Sequence, residues 1–318
     1  MKAIRSISNL FILGILLSIG ISACEEPYIP ETFEADQQLV LEGYVEAGEG
    51  ARPTFVLLTR SIPFVGTISP QLFGSLFVRG ADIRISDGDK EVRLTELCLE
   101  NLPEDIRKQA LELLGLGSAD SVNLNVCAYV DIADELTREI GRSYTLRGSV
   151  GDVEISATTT IPELVPINNF RWDDPPGEPN DTFAQLFVRV DDPVGVQNFY
   201  RYLTATEGGP LIPPPFGSVT DDAIFDGQDF EFPLSKAERR GDDTDFNTFG
   251  LYRRDDTVTI KWCNIDKEHF DFWNTRDRAA SSGGPFSGYV RIRSNVRGAL
   301  GVFGGYAVSV YELYCPPK

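Results

Sequence analysis

The chain predicts an all-β, mainly antiparallel fold of two tandem β-sandwich-like domains with short helical insertions. Three observations carry this expectation: short β-forming segments recur along most of the sequence, Gly, Pro, Asn and Asp separate them, and a proline-flanked seam lies near the middle. The segments are 39–45, 54–59, 81–86, 91–94, 143–149, 153–159, 184–190, 199–205, 257–263, 289–293 and 306–311. In 143–149, Tyr144 and Leu146 point one way and Thr145 and Arg147 the other, as a half-buried strand requires. No short repeat is present, which argues against a solenoid.

Before the first strand, Lys2 and Arg5 precede a 12-residue apolar run, 10–21, which reads as a secretion signal covering 1–23. The run is shorter than the roughly 20 residues that a helix needs to cross a bilayer. Ile21-Ser22-Ala23-Cys24 looks like a lipobox, an aliphatic residue and two small ones before the cysteine that takes lipid. At about 0.8 kcal/mol per buried methylene, several acyl chains on Cys24 make a durable anchor. Glu25, Glu26, Pro27 and Pro30 open a polar tether, 24–36. Acids just after the lipid cysteine resemble a surface-export signal, so the expected address is the outer membrane, lipid-anchored and surface-exposed.

The two β domains follow. The first, 37–165, is expected to be an immunoglobulin-like sandwich and the second, 166–318, a further β-rich domain. Thr158-Thr159-Thr160-Ile161-Pro162 closes a strand, and Pro166 precedes a new aromatic stretch at Phe170. Two places break the β pattern. Residues 103–114 carry Ile106, Ala110, Leu111 and Leu114 at helical spacing, and 265–280 carry Phe270, Trp273 and Asp277 similarly. Residues 210–215, with three consecutive prolines, are expected to form an exposed loop.

Cys24 set aside, four cysteines remain: Cys98, Cys127, Cys263 and Cys315. An even number in an exported chain suggests two disulfides. Of three pairings, Cys98–Cys127 with Cys263–Cys315 is favoured because each bridge then lies within one half. Zinc is disfavoured: no cysteines are spaced as a ligand pair and the chain has one histidine, His269.

The formal charge is −19, and losing Lys2 and Arg5 with the signal takes it to −21. Nucleic acid is therefore not an expected partner, since phosphate binding needs a concentrated basic face. No catalytic constellation is found. A hydrolase of the Ser or Cys type needs a base, and His269 in Asp266-Lys267-Glu268-His269-Phe270 reads as a surface histidine. The glycines from Gly298 to Gly305 lack the lysine of a phosphate loop and are expected to permit turns or close strand approach. Acid clusters at Asp173-Asp174, Asp191-Asp192, Asp221-Asp222 and Asp226 with Asp229 invite calcium. The nearest calcium-loop pattern, Asp243-x-Asp245-x-Asn247, has Thr248 where Gly belongs and Arg254 where Glu belongs, so no cofactor is expected and structural calcium has no specific motif behind it. Phe270, Phe272, Trp273 and Trp172 could face a ligand, although core packing is the favoured role.

The segment Ser294-Asn295-Val296-Arg297-Gly298-Ala299-Leu300-Gly301-Val302-Phe303-Gly304-Gly305-Tyr306 resembles the endings of an outer-membrane lipoprotein family known as domain of unknown function 4249. Further agreement with the family comes from Leu39-Val40-Leu41-Glu42-Gly43 just after the tether, from Ser143-Tyr144-Thr145-Leu146 with Ala157-Thr158-Thr159-Thr160-Ile161-Pro162, and from Asp192-Pro193 with Asn198-Phe199-Tyr200. The cysteine pairs and the 103–114 insertion depart from the family. The resemblance implies no catalytic residues. It implies an accessory or ligand-capturing partner of a TonB-dependent transporter. The expected function is a membrane-anchored binding protein of this kind, with a carboxylate-dependent envelope hydrolase and a structural or adhesive surface protein as alternatives.

Overall fold

Strict in–out alternation builds the strands. In β7 (Ser143–Val150), Tyr144 and Leu146 are buried while Arg147 is exposed, and β8 (Val153–Thr160) sinks Ile155, Ala157 and Thr159. The computed structural model describes residues 37–62, 70–104, 106–107, 126–177, 181–215, 217–238, 245, 247–281 and 290–318. The signal segment, Cys24 and the tether lie outside the described residues, as does most of the 103–114 insertion, of which a first turn is seen where the Arg107 N–H bonds the Pro103 carbonyl.

An eight-stranded sheet forms the centre. Its order is β12 (Val219–Asp221), β11 (Phe199–Thr206), β15 (Thr257–Ile265), β17 (Leu300–Tyr314), β1 (Leu39–Gly48), β2 (Phe55–Arg60), β6 (Cys127–Val130) and β5 (Thr95–Cys98). All neighbours pair antiparallel except β1 and β17, which run parallel from Val40↔Leu300 to Gly48↔Val308. A five-stranded sheet of β16 (Val296–Arg297), β8, β7, β3 (Asp82–Ser86) and β4 (Glu91–Arg93) and a smaller sheet of β9 (Ile167–Asp173), β10 (Phe183–Asp191), β13 (Asp229–Pro233) and β14 (Tyr252–Arg253) complete the β structure. Two short helices are described, α1 (Pro70–Ser75) and α2 (Lys267–Ser281). The second sits where helical spacing places it. The all-β, mainly antiparallel fold class holds.

Three cores follow. Leu41, Val45, Val56, Leu58 and Phe303 from the central sheet meet Ile83, Ile85, Leu146 and Ile155 from the five-stranded sheet. Leu186 and Val188 of β10 meet Tyr200, Ile260 and Trp262. On the other face of the central sheet, Phe199, Cys263, Ile265 and Val308 pack with Trp273 of α2. The seam near 165 coincides with a change of core: Ile161 belongs to the first and Val165 to the second. It does not coincide with a break in the sheet, because strands from both sides of the seam are hydrogen-bonded neighbours, and the described residues fall in one compact unit. The connection is clamped rather than free, with the Trp262 indole N–H donating to the Val165 carbonyl and the Val165 N–H to Asn264.

Several sequence expectations are corrected. Residues 290–293 form no strand, and β16 lies just beyond them. The proline-rich loop is half-buried, because Ile212 exchanges two backbone hydrogen bonds with Thr204. Cys98 and Cys127, directly opposite on β5 and β6, are bonded, which staples the base of the insertion. Cys263 and Cys315 are free and buried. Cys263 pairs with Val308, whereas Cys315 follows Tyr314, the partner of Thr257. The two thiols are thus roughly 20 Å apart along the strands at about 3.3 Å per residue, and they serve different cores.

Candidate functional site

Period-two alternation sends odd and even residues to opposite sheet faces, so Glu46, Lys261, Cys263 and Arg201 come from three strands onto the face that α2 covers. Their charges are matched at close range. Lys261 Nζ donates to Glu46 Oε2 at 2.5 Å, and Arg52 Nε donates to Glu46 Oε1 at 2.9 Å. Burial pushes the Glu46 carboxyl up, but Lys261 and Arg52 outweigh it and bring it below its ordinary value. Burial lowers the Lys261 ammonium in spite of Glu46. Arg201 donates to the Tyr306 hydroxyl at 2.5 Å and lies 3.6 Å from the centre of the Trp273 ring, a cation–π contact that takes the place of a carboxylate.

Beside this network sits His269, which is fully buried. The expectation of a surface histidine is therefore wrong. Its ring stacks on Tyr44 at 5.6 Å and meets Tyr306 edge-on at 4.6 Å, and neither nitrogen has a hydrogen-bond partner. Burial first, then the Arg201 charge, pulls it down to about 3. Burial also pushes the Cys263 thiol up to about 12. Burial thus favours the neutral imidazole and the protonated thiol in this cluster. Trp273 is buried and Phe270 and Phe272 pack partly against the same core, as core packing requires.

The glycine-rich C-terminal segment supplies the joint between sheets. Asn295 staples it, its amide donating to the Phe303 carbonyl at 2.7 Å and its carbonyl accepting from the Phe303 N–H at 3.0 Å. Gly301 has φ +112°, and a side chain there would collide with the Leu41 carbonyl of the neighbouring strand. At Gly304 a Cβ would lie 2.4 Å from the His269 ring. Close approach, which the sequence suggested for these glycines, is what both positions need.

Three aspartates from separate acid clusters meet at a second place. Asp192, Asp222 and Asp226 bring a carboxylate oxygen each to within 4.8 Å of one another, the first two buried. Asp192 accepts from the Tyr200 hydroxyl and the Gly227 N–H, Asp222 from the Asn198 N–H and Asp226 from the Gly195 N–H. Burial, then the neighbouring Asp192 and Asp226 charges, raise the Asp222 carboxyl. Oxygen donors so placed are the kind a divalent cation takes. Sequence spacing could not assemble them, because Asp192 lies 30 positions before Asp222 and the two stretches meet through the β10–β13 and β11–β12 pairings. Other acids are matched by cations: Asp174 pairs with Arg254 at 2.9 Å and Asp191 with Arg189 at 2.9 Å. Asp245 caps the Asn247 N–H, and Asp243 lies outside the described residues.

Sheet order, the stapled C-terminal joint and the buried charge network define a β protein whose central sheet is completed by its own two ends. The chain belongs to the family described as domain of unknown function 4249, whose model matches residues 25–312. No curated protein and no solved structure matches it.

Proposed function

We propose that the mature chain is a lipid-anchored binding or accessory protein of the outer membrane, displayed on the surface, that works with a TonB-dependent transporter in capturing a ligand. The observation that carries this reading is where the reactive groups sit. The single histidine, on the inner face of α2, and the Cys263 thiol beneath it are buried and held neutral, which supports a recognition role. The lipobox-like Ile21-Ser22-Ala23-Cys24 and the acidic tether supply the anchor and the address. Among the described residues no helix is long and apolar enough to cross a membrane.

Extraction of the envelope in mild detergent tests this. We expect acylated Cys24 by mass spectrometry and a β-barrel transporter in the same complex. An unacylated first residue, or lipidated protein recovered alone, counts against the anchor and the partner respectively.

One observation favours a second reading, a carboxylate-dependent hydrolase of envelope polymers. Asp222 keeps its proton more readily than an ordinary aspartate and sits beside two further carboxylates, the pairing that acid–base hydrolysis uses. Glycan cleavage by the purified chain that disappears in Asp222→Asn would select it.

A further inference from the structure

The outer face of the five-stranded sheet carries a line of arginines. Register places Arg93 opposite Arg84, Arg84 opposite Arg147, Arg147 opposite Ser156 and Ser156 opposite Arg297, so the five strands present Arg, Arg, Arg, Ser and Arg in one row. Ile83, Ile85, Leu146 and Ile155 fill the core on the opposite face, and all four arginines are exposed. Two of them are neutralised: Arg84 lies 3.0 Å from Asp82 and 3.3 Å from Glu91, and Arg93 lies 2.9 Å from Asp82. Among the described residues no carboxylate lies within ion-pair distance of Arg147 or Arg297. Within the row, these are the two guanidinium groups left open to an outside anion. They flank Ser156 about 10 Å apart, twice the interstrand spacing, on the lining of a groove of about 670 Å³ that also holds Thr158, Thr160, Glu268 and Asp266, the last already accepting hydrogen bonds from Thr159, Thr160 and His269.

We propose that this groove binds an acidic oligosaccharide, with carboxylate or sulfate groups on Arg147 and Arg297 and sugar hydroxyls on Ser156, Thr158 and Glu268. A guanidinium presents parallel N–H donors that match a planar or tetrahedral oxyanion, and hydroxyl and carboxylate side chains accept or donate to polyols. The acids bordering the row select the density of charge. Asp82 and Glu154 flank one side and Glu91 the other, so a polymer with a charge on every unit, such as nucleic acid or polyphosphate, meets repulsion. A glycan with sparser charge separates its anions enough to reach the two free arginines. The proposal names the ligand class for the capture role above, and it rests on that reading for its biological setting.

The test is calorimetric titration of the mature chain, as recovered from the envelope, with a hyaluronan hexamer and an unsulfated chondroitin hexamer, each of which carries one carboxylate on every second sugar. The methyl ester of the hyaluronan hexamer serves as neutral control and inorganic phosphate as simple-anion control. We expect saturable binding of at least one acidic hexamer that weakens with salt, a loss of tenfold or more in Arg147→Ala and in Arg297→Ala, little change in Arg84→Ala, and no binding of the ester. Both variants replace exposed side chains, and circular dichroism confirms that they fold. Failure of both hexamers, equal binding of the ester, unchanged affinity in the two variants, or displacement by equimolar phosphate overturns the proposal. Because the titration needs no transporter, its failure is distinct from failure of the co-purification.

Discussion

His269 shows how one residue couples acidity to stability. Its folded-state value near 3 lies below the ordinary 6.5, from burial and then Arg201, so the unfolded chain takes up a proton that the folded chain refuses. The sign follows: this contribution is complete above about pH 6.5 and disappears as pH falls toward 3, an effect on the order of 4 kcal/mol. Asp266, raised by burial, acts in the opposite sense. As the chain has one histidine, its ring resonances are unambiguous. We expect them not to move between pH 7.5 and 5 in the native protein and to titrate near 6.5 in urea; native titration near 6.5 would show a solvated ring. The histidine's place was not legible from its own neighbours, because Asp266, Lys267 and Glu268 are polar. The space for the ring is made by Gly304, 35 positions later, whose missing side chain is the only signal the sequence held.

At the scale of elements, the strands that were legible are those with a clean two-residue rhythm: β1, β2, β3, β7, β8, β10, β11 and β15 all appear within a few residues of expectation. The missed ones are short or weakly buried. β13, Asp-Phe-Glu-Phe-Pro, alternates but is five residues long with no fully buried side chain, β9 buries little beyond Ile167, and β14 and β16 are two residues each. The β5–β6 bridge is an element-scale device, since the cysteines lie 29 positions apart and the loop they close encloses the 103–114 insertion. Closing such a loop restricts the unfolded chain by about 3.5 kcal/mol. The double variant Cys98→Ser with Cys127→Ser should therefore unfold at lower urea by about that free energy, measured by tryptophan fluorescence. A thiol reagent should label Cys263 and Cys315 of the native protein only as it unfolds. The candidate sites were least legible at this scale, because register alone lines up Arg84, Arg147 and Arg297 from strands more than 200 residues apart.

For the whole molecule, the seam at 165 and the continuous sheet make opposite demands, and the sheet governs. Residues 37–165 alone would keep β1 and β2 but lose β17, leaving Leu41, Val56 and Leu58 without Phe303 and Ala307. Residues 166–318 alone would expose the other edge of β17 and strip Glu46 from Lys261, an uncompensated buried charge. We expect either half, expressed separately, to be insoluble or protease-sensitive, and the two co-expressed to recover a folded complex. Independent folding of the 37–165 fragment, judged by dispersed amide resonances, would contradict this.

Synthesis runs from β1 toward β17, so the first strand made waits for the last before the parallel ladder between them can close. Until then one flank of β1 stays bare and prone to stray partners. A reading-frame error or a clip near residue 299 thus removes the keystone along with the tail. The product lacks the strand that pairs with β1 from Val40 to Gly48, so that ladder stays open.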